Sequence, residues 1–290
     1  MIKITAGLGS ADDYKSFREA GADEVFTGYI PQIWQLERGL VSPLNRREVW
    51  SCGAQIGYRN ELERLKETGA QAAITLNSLS YRPEEYPVIA EVIEDALSAG
   101  FDSFIVADPA LIVYLNNTGL INRIRLHVSG EFGEMNRFTR DELIRLGASR
   151  IILNRKVTVS EIKNLTVPGI EWEAFFMNEM CRYQGAFCDS LHCDEMPPIC
   201  REACPGGGAC ETGGIDGCGL CALYKLNEAG VTHLKIVGRG AHTEDMLYSI
   251  RLARMAVNLL KDSKTDAEYR NRLLKSLPKG VCSGKCYYTE

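Results

Sequence analysis

The stretch Ser98-Ala99-Gly100-Phe101-Asp102-Ser103-Phe104-Ile105-Val106 ends a predicted helix at a glycine and continues into an apolar run. Glycine adopts the left-handed conformation that closes a helix without a steric penalty, and an apolar run suits a strand that is covered on both faces. The same pattern recurs at Gly21, Gly69, Gly147 and Gly230. These repeats predict helices that alternate with short buried strands, which is typical of a parallel sheet with helical crossovers.

Further elements complete the pattern. Helices are predicted between the strands at Asp12–Ala20, Glu84–Ser98 and Asp141–Leu146. Three more apolar runs bring the predicted strands to eight, namely Ile2–Ala6, Arg123–Val128 and Glu171–Met177. Eight βα units favour an α/β fold of the (β/α)8 barrel type. The alternative is an open doubly wound sheet, which would need a Gly-rich phosphate turn after its first strand, and Gly7-Leu8-Gly9-Ser10 is only a fragment of one.

We expect a single barrel domain over residues 1–260, with a Cys-rich insertion at 178–222. A C-terminal helix and a Cys-containing tail are expected to follow at residues 261–290. The insertion lies in the long connection between the last two predicted strands, which end at Phe176 and begin at Leu234. A connection of that length is normally either disordered or functional.

Eight of the eleven cysteines lie in this insertion: Cys181, Cys188, Cys193, Cys200, Cys204, Cys210, Cys218 and Cys221. Thiolates are soft ligands for iron-sulfur clusters and zinc, so the crowding predicts a metal centre. Structural disulfides are the alternative. The N-terminus lacks the charged and apolar regions of a signal peptide, so we expect a cytoplasmic protein whose thiols are kept reduced.

The cysteine spacing narrows the choice of metal without settling it. Zinc could be held by the closely spaced pairs Cys200-x3-Cys204 and Cys218-x2-Cys221. The C-x3-C-x2-C spacing of radical-SAM enzymes is not met, because the next cysteine after Cys204 is Cys210. The C-x2-C-x2-C-x3-C-P run of two-cluster ferredoxins does not occur either. Cys181-x6-Cys188 with later cysteines leaves room for a four-iron cluster.

The composition indicates the class of partner. Hydrophobic residues make up 45% of the chain and charged residues 24%, and no apolar run approaches the ~20 residues of a membrane span. The net charge of −5 supplies no broad attraction for nucleic acid. We therefore expect a small-molecule substrate and no membrane span. The net charge does not favour an RNA substrate, although it leaves open a local patch of basic residues.

Polar residues follow several predicted strands at the barrel end that carries the chemistry of (β/α)8 enzymes. They are Asn77, Asp108, His127, Ser129, Asn154, Arg155, Asn178 and Arg239. Each one alone is better explained as a loop-capping residue than as a catalyst. Their shared position at the strand ends is what predicts a site.

The segment from Glu173 to Cys188 resembles peptidase family U32, the collagenase-like peptidases, whose members carry an apolar strand followed by two cysteines in this register. Further motifs of the family occur along most of the chain. They are Thr75-Leu76-Asn77, Val106-Ala107-Asp108-Pro109, His127-Val128-Ser129 with Asn136, Leu153-Asn154-Arg155 with Glu161-Ile162, Cys200-Arg201-Glu202-Ala203-Cys204, and Gly219-Leu220-Cys221 leading to Leu234-Lys235-Ile236-Val237-Gly238-Arg239.

The resemblance implies chemistry that differs from the family's name. Well-understood members are iron-sulfur proteins that hydroxylate without dioxygen, with prephenate as oxygen donor, in ubiquinone synthesis or on bases of transfer and ribosomal RNA. It implies a 4Fe-4S cluster with ligands at Cys181, Cys188, Cys200 and Cys221, with Cys204 as the alternate for Cys200.

Catalytic roles follow from the same resemblance. Prephenate is a dicarboxylate and guanidinium pairs with carboxylate in two parallel hydrogen bonds, so Arg155 and Arg239 are candidate anion clamps. Tyr183 and His127 are candidates for proton transfer. Asn77 and Asp108 complete the predicted catalytic set.

Three functions stay open at this point: an oxygen-independent hydroxylase, a metal-dependent peptidase or hydrolase, and a non-catalytic iron-sulfur subunit that needs a paralogous partner. Where relatives often have Arg-Glu this chain has Arg155-Lys156, and where they have His-Gly it has Asn178-Glu179, so the substrate is not specified. The leftover pair Cys282-x3-Cys286 could cap the barrel, supply spare ligands or bind a second metal.

Overall fold

The structure is a computed structural model that describes residues 2–38, 42–48, 55–133, 135–180, 217–282 and 284–288. The strands in these ranges are β1 Lys3–Gly7, β2 Glu24–Tyr29, β3 Gln55–Ile56, β4 Ala72–Leu76, β5 Ser103–Val106, β6 Arg125–Val128, β7 Ala148–Ile152, β8 Glu171–Met177 and β9 His233–Ile236. The α-helices are α1 Tyr14–Ala20, α2 Gln32–Arg38, α3 Arg59–Glu67, α4 Tyr86–Ser98, α5 Pro109–Asn117, α6 Arg137–Arg145, α7 Val159–Leu165, α8 Leu223–Glu228, α9 Thr243–Lys261 and α10 Asp266–Ser276.

Eight parallel strands close into a barrel in the order β1-β9-β8-β7-β6-β5-β4-β2, and β1 pairs with β2 to complete the ring. Thr5 of β1 lies opposite Glu24 on one side, and Ile4 lies opposite Leu234 on the other. The predicted (β/α)8 barrel is therefore confirmed, and the open doubly wound alternative is not. The short strand β3 pairs with β2 beside the barrel.

Glycines end the helices where the repeats predicted them. The backbone φ angle is positive at Gly21, Gly69, Gly100, Gly147 and Gly230, between 76° and 114°. At Gly21 the backbone N–H donates to the carbonyl oxygens of Phe17 and Arg18, which closes α1 before the chain turns into β2. A residue with a Cβ would be strained in this conformation, so these glycines set the point at which each helix gives way to a strand.

The long connection between β8 and β9 begins and ends at one place. The backbone N–H of Asn178 donates to the Gly217 oxygen at 2.9 Å, and that of Gly219 donates to the Phe176 oxygen at 2.7 Å. The C-terminal tail returns to the same strand end, where the Tyr288 hydroxyl donates to the Phe175 oxygen at 2.8 Å. The expected division into residues 1–260 and 261–290 stays a prediction. Among the described helices, none combines the length and apolar character needed to cross a membrane.

Candidate active site at the barrel mouth

A cavity opens at the C-terminal ends of the barrel strands. It encloses about 610 Å³, counting the part that is open to solvent. Its lining comes from the strand ends and from the loop at residues 42–48. The lining residues are Phe26, Arg46, Arg47, Thr75, Asn77, Ile105, Ser129, Gly130, Glu131, Ile152, Arg155, Phe175, Glu179, Lys235, Val237, Gly238 and Arg239.

Positive charge dominates the described lining. Its five cationic residues are Arg46, Arg47, Arg155, Lys235 and Arg239, against the two carboxylates of Glu131 and Glu179. A third carboxylate, Glu173, lies directly beneath Lys235. Counted over these described residues, the cations exceed the carboxylates by two. A cleft with such an excess and low-dielectric walls concentrates anions.

Arg155 follows β7 and lies over an aromatic ring. Its guanidinium carbon lies 3.7 Å from the ring centroid of Phe175, which is cation–π geometry. Its Nη1 also donates to a carboxylate oxygen of Glu131 at 3.2 Å. The backbone at Gly130 approaches the same ring so closely that an added Cβ would lie 2.8 Å from Phe175 Cε2. The arginine is therefore positioned by a packed wall of the cavity.

Arg239 follows β9 and is buried, with 3% of the residue exposed. Its Nη2 donates to Asn45 Oδ1 at 3.1 Å, and its carbonyl oxygen accepts from Arg47 Nη1 at 2.6 Å. The space for the guanidinium exists because Gly28 has no side chain: a Cβ there would lie 2.5 Å from Arg239 Nη1. The loop at residues 42–48 and the end of β2 thus fix this second cation.

Lys235 extends from β9 into the barrel. Its Nζ donates to Glu173 Oε1 at 2.7 Å and lies 3.8 Å from the centroid of the Phe26 ring. Burial lowers the pKa of Lys235, and the carboxylate of Glu173 acts in the opposite direction. Burial would likewise raise the pKa of Glu173, but Lys235 and Arg150 hold it below its usual value. The two side chains form a buried ion pair under the cavity.

A layer of charged side chains fills the barrel below this pair. The fully buried Arg150 donates from Nη1 to Glu173 at 3.0 Å, from Nε to Glu171 at 2.9 Å and from Nη2 to Glu24 at 2.8 Å. Burial alone would raise the pKa of Glu24, but the hydrogen bond with His233 and the charge of Arg150 hold it well below its usual range. Most (β/α)8 interiors are filled by branched apolar residues. Here the interior carries a charge network that ends at the cavity floor.

The structure brings some of the predicted catalytic residues together and separates others. Arg155, Arg239 and Asn77 all line the cavity. Asp108 caps α5 instead, where its carboxylate accepts from the Ala110 and Tyr81 backbone N–H groups at 2.8 and 2.9 Å. It is not part of the lining, and its catalytic role stays a prediction.

His127 lies one layer below the cavity, because it precedes the lining residue Ser129 by two positions on the same face of the strand. It is buried, and neither ring nitrogen has a hydrogen-bond partner. Burial lowers the pKa of His127 well below its usual value, with the positive charges of Arg150 and Arg125 adding to the effect. The ring is therefore neutral at pH 7.

Two other polar residues at the strand ends, Asn154 and Asn178, form hydrogen bonds with backbone groups. Asn154 Oδ1 accepts from the Lys156 and Val157 N–H groups at 2.8 and 3.1 Å. Asn178 adopts a left-handed φ of 67° and donates from Nδ2 to the Val237 oxygen at 3.2 Å. The next residue, Glu179, is also left-handed, with φ 47°, and forms an ion pair with Arg47. Two consecutive non-glycine residues in this conformation are a strained turn, and here the turn forms one edge of the mouth.

Most of the predicted cluster ligands lie outside the described residues: Cys181, Cys188, Cys200 and Cys204, together with Tyr183. Cys221 is described, half-buried, in the turn after the connection returns to β8. Burial raises the pKa of its thiol, while the nearby Arg270 acts to lower it. Over the described part of the chain, no three Cys, His, Asp or Glu side chains are placed to hold a common metal ion.

Several lining residues were not predicted from the sequence: Arg46, Arg47, Glu131, Glu179 and Lys235. The sequence does contain a signal for Lys235, because this charged residue interrupts the apolar run Leu234–Val237. Glu173 interrupts the run Trp172–Met177 in the same way. A charge inside an otherwise apolar strand indicates a partner across the barrel. The sequence contains no such signal for Arg46 and Arg47, because they belong to a loop far from the other lining residues in sequence.

Comparison with known proteins gives the family. Residues 9–194 match the model of peptidase family U32. The chain is similar to the solved structure of the U32 peptidase Mk0906, with 16% identity and a TM-score of 0.43 over 61% of this chain and 69% of that one. It is also similar to phosphoribosyl anthranilate isomerase from Thermus thermophilus, with 11% identity and a TM-score of 0.49 over 89% of this chain and all of that one. No curated protein matches the chain. Because the family model spans more than half of its length, the chain belongs to peptidase family U32.

Proposed function

We propose that this protein is an iron-sulfur enzyme that binds a dicarboxylate such as prephenate at the barrel mouth and supports oxygen-independent hydroxylation of a small molecule or a nucleic-acid base. The observation that carries the proposal is the excess of two cations over carboxylates among the described lining residues, with Glu173 counted as the partner of Lys235. A dianion is the ligand that would neutralise this excess. The hydroxylation and its oxygen donor come from the family resemblance.

Arg155 and Arg239 are the residues that would bind the two carboxylates. They follow β7 and β9, so β8 lies between them and their backbones are separated by roughly two strand spacings, about 10 Å. Phe175 of β8 lines the cavity between them and carries the Arg155 guanidinium over its ring. This arrangement suits a compact dicarboxylate whose two carboxylate groups each reach one guanidinium. Each guanidinium is already oriented by the protein, which reduces the entropy lost on binding.

Lys235 and His127 have supporting roles in this proposal. Lys235 keeps its charge through Glu173 and places a third cation on the cavity floor. His127 stays a candidate for proton transfer, with a neutral ring whose nitrogens have no hydrogen-bond partner. Tyr183, the other candidate for proton transfer, lies outside the described residues.

The donor set fits an iron-sulfur cluster. Cys181, Cys188, Cys200 or Cys204, and Cys221 would hold it, and these are the soft thiolate ligands that such clusters use. Cys221 lies close to the point where the connection leaves and rejoins β8, beside the mouth. When bound, the cluster would supply electron transfer next to the anion site.

Peptide hydrolysis receives no specific support from the described residues. Ser129 lines the cavity and lies near His127 in sequence, but the His127 nitrogens make no hydrogen bond to it. A serine nucleophile needs such a base within hydrogen-bonding reach. We therefore place hydroxylation first.

Binding of prephenate to the anaerobically purified protein tests the proposal. Titration calorimetry would compare the wild-type protein with Arg155→Met, Arg239→Met and the control Arg145→Met, whose side chain is exposed on α6 and pairs with Glu142. Loss of a hydrogen bond to a charged group costs ~1.5–3 kcal/mol, so each cavity variant should bind roughly 10- to 150-fold more weakly. The control should bind like the wild-type protein.

Iron and acid-labile sulfide, measured on the same preparations, test the cluster separately. We expect about four irons per chain, and a large loss of iron in Cys181→Ser/Cys188→Ser. Equal binding by the wild-type protein and both cavity variants would refute the anion site, and iron-free protein with wild-type binding would refute the cluster.

A further inference from the structure

The C-terminal tail brings a second pair of cysteines to the first pair after the long connection. Cys218 forms a β-bridge with Cys286. The Cys218 N–H donates to the Lys285 oxygen, and the Tyr287 N–H donates to the Cys218 oxygen, both at 2.9 Å. Bridged backbones lie at the spacing of neighbouring strands, about 4.8 Å. Two segments more than sixty residues apart in sequence are thus joined at their cysteines.

Hydrogen bonds donated by three tyrosine hydroxyls hold both segments in this place. The Tyr288 hydroxyl donates to the Phe175 oxygen at 2.8 Å, and the Tyr287 hydroxyl donates to the Glu179 oxygen at 3.0 Å. The Tyr269 hydroxyl of α10 donates to the Leu220 oxygen, between the first two cysteines, at 2.7 Å. The juxtaposition therefore belongs to the packed fold and does not depend on a chance contact of the tail.

The two pairs have the spacings of a structural metal site. Cys218-x2-Cys221 and Cys282-x3-Cys286 both fall within the C-x2–4-C range of tetrathiolate centres. Cys221, Cys282 and Cys286 are all close enough to Cys218 for their charges to act on its thiol. Cys218, Cys221 and Cys286 are half-buried and Cys282 is exposed. Thiolates gathered at a partly buried place favour a bound cation that neutralises them.

We propose that Cys218, Cys221, Cys282 and Cys286 bind one thiophilic metal centre that fastens the tail to the end of β8. The sulfur atoms do not converge on one point, so binding requires the side chains to reorient around Cys218 and Cys286, whose backbones are already paired. The shared chemistry is tetrathiolate ligation, and it suits either a zinc ion or an iron-sulfur cluster. The proposal goes beyond the proposed function. It changes the ligand set given above in one respect: Cys221 belongs to the tail centre, and both Cys200 and Cys204 join Cys181 and Cys188 as ligands of the cluster of the connection.

Metal content of the full chain tests this assignment. Zinc, iron and acid-labile sulfide would be measured in anaerobically purified wild-type protein, Cys282→Ser/Cys286→Ser, Cys181→Ser/Cys188→Ser and the control Lys279→Ser, an exposed residue of the same tail. The tail variant should lose one centre and keep the metal that the Cys181→Ser/Cys188→Ser variant loses. Loss of zinc identifies a zinc site, and loss of iron with sulfide identifies a cluster.

Two results would overturn the proposal. One is wild-type metal content in the tail variant, and the other is loss of the same metal from both double variants, which would mean one shared centre. If a variant does not fold, the rate of cysteine alkylation in the wild-type protein tests the proposal instead. Cys282 is exposed, so without a metal it should be alkylated at once. With the metal, alkylation of Cys282 and Cys286 should be at least tenfold slower until a chelator is added, and equal rates would also overturn the proposal.

Discussion

Replacement of Lys235 by methionine tests the charge network under the cavity. Methionine keeps most of the buried stem but removes the ammonium group that donates to Glu173 at 2.7 Å. Glu173 is fully buried, so the lost partner cannot be replaced by water, and Arg150 at 3.0 Å remains as its other cation. Breaking a buried pair from one side costs ~3–5 kcal/mol. We expect Lys235→Met to lower the free energy of unfolding by about 3 kcal/mol, the lower end, because Arg150 is retained.

The loss should depend on pH in a definite direction. The pKa of Glu173 is held below its usual value in the folded protein, so its ion pairs contribute stability that is present above the unfolded pKa, 4.5, and lost as the pH falls below it. Without Lys235 that contribution is smaller. The difference between variant and wild type should therefore be largest near neutral pH and shrink as the pH falls from about 4.5 toward the lower pKa of Glu173 in the folded protein.

Urea unfolding followed by circular dichroism would measure both effects, with unchanged m-values as the check that the two states are comparable. Lys15→Met, an exposed position on α1, is the matched control and should change stability by less than about 0.5 kcal/mol. A double-mutant cycle with Glu173→Gln should give a coupling energy of at least about 1 kcal/mol. Additive single changes, or a Lys235→Met loss as small as the control's, would refute the buried pair.

Three further predictions concern the mouth and its supports. Gly28→Ala should displace Arg239 and so weaken prephenate binding at least tenfold, as measured by titration calorimetry. The control Gly57→Ala should bind prephenate like the wild-type protein, because a Cβ at Gly57 meets nothing within 4 Å. Asp108→Ala should lower the free energy of unfolding by ~1–2 kcal/mol in urea, because α5 loses its cap. Burial raises the pKa of Glu48 to about 7, which costs stability as the pH rises through that value. Glu48→Gln should therefore match the wild type near pH 5 and exceed it near pH 8 by up to about 3 kcal/mol in urea unfolding.

Much of the fold could be predicted from the sequence, because glycine ends a helix through a local property, its left-handed backbone conformation. The five glycine positions gave the order of elements, and β8 was found at its observed bounds, Glu171–Met177. Helix starts were harder: α6 begins at Arg137, capped by Asn136, whereas the helix was predicted from Asp141. Strand β3 is two residues long and has no apolar run to mark it.

The site was readable only in part, for two physical reasons. Strand ends identify which residues can reach the mouth, and this found Arg155 and Arg239, but the same position also suits a helix cap such as Asp108. The charged layer depends on which strands face each other across a closed barrel, as Arg150 and Glu24 do. Spacing along the sequence does not contain that information. The cluster ligands between Cys181 and Cys204 stay predictions.

A crystal structure of the anaerobically prepared protein with prephenate bound would test the anion site most directly. We expect the two carboxylates within about 3 Å of the guanidinium groups of Arg155 and Arg239. Prephenate bound elsewhere on the protein, with the mouth occupied only by water, would contradict the assignment of this cavity as the substrate site.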